Sequence, residues 1–205
     1  MSSQPRSILS LSKLAAKFPE KDAFFGLLGA TITDRNDRAA VLSVVSLLEG
    51  ALQKTLATKF IPDEKGKLEY MFGSGAPLRD FSAKIKMGFA LGVYGPNTRA
   101  DLDSIREVRN SFAHTMSPIY FNTPEVENVC KRIIILDQFD ILDPFDLSSE
   151  IKDASTRICF ITTAMYFAAV FYFIAHPIGL GLAESQFDDS EDEPWWSHFK
   201  RAMVS

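Results

Sequence analysis

The stretch LDSIREVRNSFAH, residues 102–114, decides the fold class and holds the sharpest chemical signal of the chain. Leu102, Ile105 and Phe112 recur at spacings of three and seven, the period of one face of an α-helix. Arg109 falls on that same apolar face. Because a guanidinium does not lose its proton, we expect Arg109 to find a carboxylate, backbone carbonyls or a bound anion.

A polar stripe lies beside this apolar face. Arg106, Asn110 and His114 follow one another at spacings of four, so they share one side of the helix. An arginine at the core boundary with an imidazole about one turn away is typical of an anion or phosphate site. The candidate site residues are therefore Arg109, Asn110 and His114.

The composition is that of an ordinary globular protein of 205 residues, with 46% apolar and 23% charged residues. The net charge of −4 does not favour nucleic acid. Cys130 and Cys159 stand in separate apolar runs, which indicates buried thiols in a reducing compartment. With three histidines in separate segments, we expect no metal site, and no motif indicates a cofactor.

Helical periodicity continues along the chain, and no segment alternates with the period of a strand. The sequence therefore predicts an all-α, multi-helix bundle. The first long helix has Asp34 or Asn36 as its N-cap and ends at Pro62. The next helices are predicted over 78–91, from a cap at 97 or 98 to His114, and after Thr123-Pro124 with the Thr123 hydroxyl as cap.

A long apolar run near the C-terminus has two interpretations. Ile158 to Ala175 is eighteen residues without a formal charge. At about 1.5 Å per residue, it would just cross a bilayer core of roughly 30 Å. Thr162, Thr163 and Tyr166 interrupt the run, and we expect no second apolar stretch of this length. We favour a central helix buried on all sides of a soluble bundle over a membrane span.

Composition divides the chain into three parts. These are an N-terminal helical extension over residues 1–33, an all-helical core domain over 34–182 and an acidic, Trp-containing tail over 183–205. Residues 7–17 lack the long apolar core of a secretory signal, which points to the cytoplasm.

The tail differs in kind from the core. It reads DDSEDE at 188–193, followed by Trp195 and Trp196. An acidic run of this kind is typically solvated, whereas two adjacent tryptophans are rarely left in water. We expect the tryptophans to dock, either onto their own domain, onto a second copy or onto another protein.

Six segments occur in an order and spacing that resemble the mannitol operon repressor family of bacteria, which are small all-helical proteins. The resemblance covers roughly residues 34–135 and implies transcriptional regulation. No helix pair with a basic recognition helix is visible, so regulation would act through a protein partner and not through direct DNA binding. The segments are Asp37-Arg38, the helix with Leu48-Glu49, Ala76-Pro77-Leu78, 81–85, Ala90-Leu91-Gly92 and 105–114.

The short motif has a second resemblance. Arginine, a polar residue, three further residues and then histidine is similar to the Arg-x4–6-His motif of HEPN domains, which are helical and often dimeric. Active members of that superfamily cleave RNA without a metal. By this resemblance, Arg109 would hold the scissile phosphate, His114 would act as general acid or base, and Asn110 would orient one of them. A homodimer would pair two motifs across a cleft.

Each residue also has a structural interpretation. Arg109 would pair with a buried carboxylate such as Glu49, and His114 would interact with the last carbonyls of its helix. Lys84 and Lys86 would lie on a solvated face. Two functions therefore stay open: a regulatory protein that binds other proteins, and a metal-independent endoribonuclease.

Overall fold

In the computed structural model of the protein, the described residues are 21–33, 35–64, 68–133 and 155–173. These ranges contain seven helices and no strand, which confirms the all-α prediction for this part of the chain. The tail and residues 1–20 of the N-terminal extension lie outside the described residues. The helices are α1 (Lys21–Thr33), α2 (Asp37–Ala57), α3 (Glu69–Phe72), α4 (Phe81–Ala90), α5 (Pro96–His114), α6 (Pro124–Cys130) and α7 (Thr156–Phe173).

The core is built on the packing of α2 against α7. From Phe160 to Phe171, every α7 side chain except the half-buried Tyr166 is at most 3% exposed. A helix that is apolar all round needs such complete enclosure. The predicted central buried helix is therefore found, and it begins at Thr156, two residues before its uncharged run.

The expectation that only one apolar stretch could reach across a bilayer is corrected by α2. In the described part of the chain, Asp37–Ala57 is the helix long and apolar enough to cross a membrane by length and composition. The same helix supplies Val41, Leu48, Leu52 and Leu56 to the core, each fully buried. The core helix of a soluble protein passes the same test.

Local capping chemistry explains several helix starts. Asn36 is the N-cap of α2, as predicted, and its side-chain oxygen accepts a hydrogen bond of 3.1 Å from the N–H of Ala39. Thr123 is the N-cap of α6, with Pro124 at the first helical position. The Thr123 hydroxyl makes no cap bond, however, because it accepts instead from the N–H of Tyr120 at 3.0 Å.

Other predicted boundaries are wrong by a few residues. Helix α5 begins at Pro96 with Gly95 as its N-cap, because proline is tolerated where the helical N–H has no partner. Helix α2 ends at Ala57, before the predicted stop at Pro62, and α4 begins at Phe81 instead of residue 78.

Helix α4 packs against α2 and α5, and its Gly88 contacts Tyr94 in the segment between α4 and α5. Tyr94 is 2% exposed, and its hydroxyl donates to the carbonyl of Ile85 at 2.7 Å. A Cβ atom at Gly88 would lie only 2.6 Å from the Tyr94 hydroxyl oxygen. The absence of a side chain at Gly88 therefore lets the tyrosine ring approach α4 closely.

Candidate functional site

The motif residues lie on the last turns of α5. Arg109 and Asn110 are half-buried, and His114 is exposed. The Nη1 atom of Arg109 donates a hydrogen bond of 3.0 Å to the Oδ1 atom of Asn110. This bond draws the guanidinium toward the side of the helix that Asn110 and His114 share. The structure thus brings Arg109 and Asn110 together.

Arg109 and His114 stand five residues apart on α5. Five residues along an α-helix correspond to a rotation of about 140° between side chains. Neither residue lines the two cavities described below.

The polar face of α5 carries both signs of charge. Glu107 accepts from Arg132 of the segment after α6 at 2.7 Å, and Asp103 lies 3.5 Å from the Nε atom of Arg106. These carboxylates neutralise neighbouring cations along the helix. Arg106 and Arg132 beside the motif are therefore each paired with a carboxylate.

The hypothesis that Glu49 is the partner of Arg109 is wrong. Glu49 on α2 pairs with Lys84 on α4, with 2.6 Å between Oε1 and Nζ. The prediction that Lys84 lies on a solvated face is corrected by the same contact, since its side chain is 5% exposed, whereas Lys86 is exposed as expected. Lys84 is buried because it follows Phe81 by three residues and faces α2.

Two neighbouring cavities lie where the start of α2 meets the loop between α5 and α6. The first, which we name the arginine groove, has a volume of about 680 Å³ and is lined by Arg35, Arg38, Met116, Tyr120 and their neighbours. The second, about 640 Å³, also contacts Asp37 and Tyr120 and extends to Arg157 on α7. Asp37 and Tyr120 line both cavities, so the two cavities form one continuous concave surface.

Asp37 holds this region together. Its Oδ1 atom accepts from Nε of Arg157 at 2.9 Å, and its Oδ2 atom accepts from the N–H of Phe121 at 3.1 Å. Arg157 also donates to the carbonyl of Thr31 at 3.0 Å. One carboxylate and one guanidinium thereby join α1, α2, the loop after α5 and the start of α7.

The rim of the arginine groove is exposed and combines cations with apolar groups. Arg38 donates to the carbonyl of Thr115 at 2.7 Å, which fixes the residue after His114 against α2. Met116 is 101% exposed and Tyr120 is 57% exposed. Arg35 is exposed as well. Sequence reasoning missed this surface, although the apolar residues of MSPIY at 116–120 in an interhelical segment were a usable signal.

The described residues offer no metal centre, since no group of three histidine, cysteine, aspartate or glutamate side chains could hold an ion. Neither cysteine forms a disulfide within the described part of the chain. Burial, followed by the nearby Cys159 and Glu127, raises the pKa of the Cys130 thiol to about 12. Burial also raises the pKa of Cys159. Both thiols are therefore mostly protonated at neutral pH and weak as nucleophiles or metal ligands.

The comparisons of this chain with protein-family models, with curated proteins and with solved structures find no match.

Proposed function

We propose that this protein is a cytoplasmic regulatory protein that acts by binding another protein at the arginine groove. The observation that carries the proposal is the full exposure of Met116 beside Tyr120, Arg35 and Arg38. Methionine, tyrosine and arginine are enriched at protein interfaces, whereas lysine and glutamate are depleted there. This agrees with the function that a resemblance to mannitol operon repressors implies.

The charge of the surface favours a protein partner over DNA. Two arginines at the groove, one of them already hydrogen-bonded to Thr115, are few compared with the phosphate contacts of a DNA-binding domain. An exposed apolar methionine on the rim of this surface instead offers area to bury against a complementary side chain.

Site-specific photo-crosslinking tests this proposal. A photoreactive amino acid at Met116 in the full chain, irradiated in host cells, is expected to give a discrete adduct with one protein. Arg38→Glu should abolish that adduct. The control position is Ile61, which is 85% exposed but lies outside both cavities. If position 116 gives no discrete adduct, or the same adducts as position 61, the proposal fails; an adduct with a second copy would identify a homodimer at this surface.

A second candidate is a metal-independent endoribonuclease using Arg109, Asn110 and His114. The observation that favours it is the Arg109–Asn110 bond, because a neutral amide leaves the guanidinium charge available for a phosphate. Because about 140° of helix rotation separates the two positions, we expect His114 to come from a second copy.

RNA cleavage in the presence of a chelator tests the second candidate. Cleavage by the parent protein that is lost in both Arg109→Ala and His114→Ala would support it. Mixing the two variants should then restore part of the activity, because each supplies the group that the other lacks. An inert parent protein would exclude it.

A further inference from the structure

We propose that the arginine groove binds the acidic, Trp-containing segment of the same chain, residues 188–199. This segment reads DDSEDEPWWSHF. The inference rests on the proposed function insofar as the groove is also the partner site: the segment would occupy the groove until a partner displaces it. The segment offers a run of carboxylates followed by two indoles.

Charge complementarity is the first argument. Residues 183–205 contain six acidic and two basic residues, which equals the net charge of −4 for the whole chain. The other 182 residues contain twenty acidic and twenty basic residues. The negative charge is thus concentrated in one segment, and Arg35 and Arg38 supply two exposed cations at the groove.

The carboxylate inside the groove does not oppose this charge. Asp37 is only 15% exposed, and Arg157 and the Phe121 N–H satisfy its two oxygens. The attraction of Arg35 and Arg38 for an incoming carboxylate is therefore not cancelled at the point of contact.

Apolar complementarity is the second argument. Met116, Ile119 and Tyr120 line the same groove as the two arginines. Indole rings pack well on a methionine thioether and on tyrosine, and arginine stacks on the face of tryptophan. Trp195 and Trp196 follow directly after the acidic run and Pro194, so one short segment matches both the cations and the apolar surface.

The length of the chain permits the contact. Helix α7 begins beside the groove, because Thr156 and Arg157 line the second cavity. Its eighteen residues carry the chain about 26 Å away, to Phe173. The fourteen residues 174–187 can span about 46 Å when extended, so Asp188 can return to the groove. Tethering of this kind produces millimolar effective concentrations, so weak contacts are sufficient for occupancy.

Tryptophan fluorescence of the full chain tests the inference directly, because Trp195 and Trp196 are the two tryptophans of the protein. We expect blue-shifted emission and protection from acrylamide quenching in the parent protein. Arg35→Glu should shift the emission to the red and raise the quenching constant to that of a synthetic 188–199 peptide. The matched control is Arg79→Glu, an exposed arginine outside both cavities, which should leave both signals unchanged.

Two further variants keep the result decisive. Arg38→Glu repeats the charge reversal within the groove, and far-UV circular dichroism establishes that each variant is folded. Arg35→Glu combined with Glu191→Arg should restore protection if the two side chains attract each other. Equal quenching in the parent, Arg35→Glu and Arg38→Glu would overturn the inference. Protection that disappears on dilution would overturn binding within one chain and identify a second copy as the occupant.

The failure of this inference is distinguishable from the failure of the proposed function. Unprotected tryptophans together with a discrete partner adduct at Met116 would reject the tail as occupant while the partner site stands. Protected tryptophans that depend on Arg35, without any partner adduct, would support the tail contact and reject the partner site.

Discussion

Removing Lys84 is expected to destabilise the fold strongly, because its charge partner Glu49 would remain unpaired. The two atoms Nζ and Oε1 lie 2.6 Å apart, and the side chains are 5% and 22% exposed. Breaking a buried ion pair from one side costs about 3–5 kcal/mol. Since water reaches part of Glu49, we expect Lys84→Met to lower the free energy of unfolding by about 3 kcal/mol, at the low end of that range.

Removing the carboxylate of Glu49 should lower the unfolding free energy more than removing the ammonium group of Lys84. Glu49→Gln leaves an ammonium group that is only 5% exposed, so we expect a loss of about 4 kcal/mol. The double variant Lys84→Met with Glu49→Leu should recover most of the loss, because apolar side chains of similar volume need no charge partner.

Urea unfolding followed by far-UV circular dichroism measures these values. The matched control is Lys86→Met on the same helix, an exposed site that should change stability by less than about 0.5 kcal/mol. A loss of less than about 1 kcal/mol for Lys84→Met, or a double variant no more stable than the single ones, would refute the reasoning.

Three more predictions follow from packing and ionisation. Gly88→Ala should lower the unfolding free energy by about 1–3 kcal/mol in urea, because the new Cβ would meet the buried Tyr94 at 2.6 Å; an unchanged midpoint would contradict this. Thr163→Val should raise it by about 1 kcal/mol, since the Thr163 hydroxyl is buried without a hydrogen-bond partner among the described residues. Because the thiol of Cys130 has a pKa of about 12 in the fold and 9.0 ordinarily, the unfolded chain ionises first and stability falls as pH rises from about 9 to 12. Cys130→Ala should flatten that fall in unfolding titrations, and an unaltered slope would count against it.

Features set by neighbouring residues were predictable. The cap at Asn36, the N-cap position of Thr123 without its hydroxyl bond, the end of α5 at His114 and the apolar run of α7 all depend on a few consecutive positions. Capping and periodicity act within one or two turns, so they can be read without knowing the fold.

Features that join distant segments were not predictable. The sequence places Lys84 on a helix. It does not show that this face meets α2, because the partner Glu49 is 35 residues away in the chain. In the sequence, Arg157 is only the last charge before an apolar run, whereas its partner Asp37 lies 120 residues earlier. The arginine groove could not be predicted for the same reason, since Arg38 and Thr115, which meet beside it, are 77 residues apart.

The pairing of α2 with α7 has a consequence for synthesis on the ribosome. Thr55 and Phe171, which join the two helices by a hydrogen bond, are 116 residues apart. At a synthesis rate of about 5–20 residues per second, Phe171 of α7 is made roughly 6–23 s after Thr55 of α2. During that interval α4 and α5 can already pack on α2, but the apolar surface that α7 will bury stays exposed, so the yield in the cell should depend on chaperones that shield such surfaces.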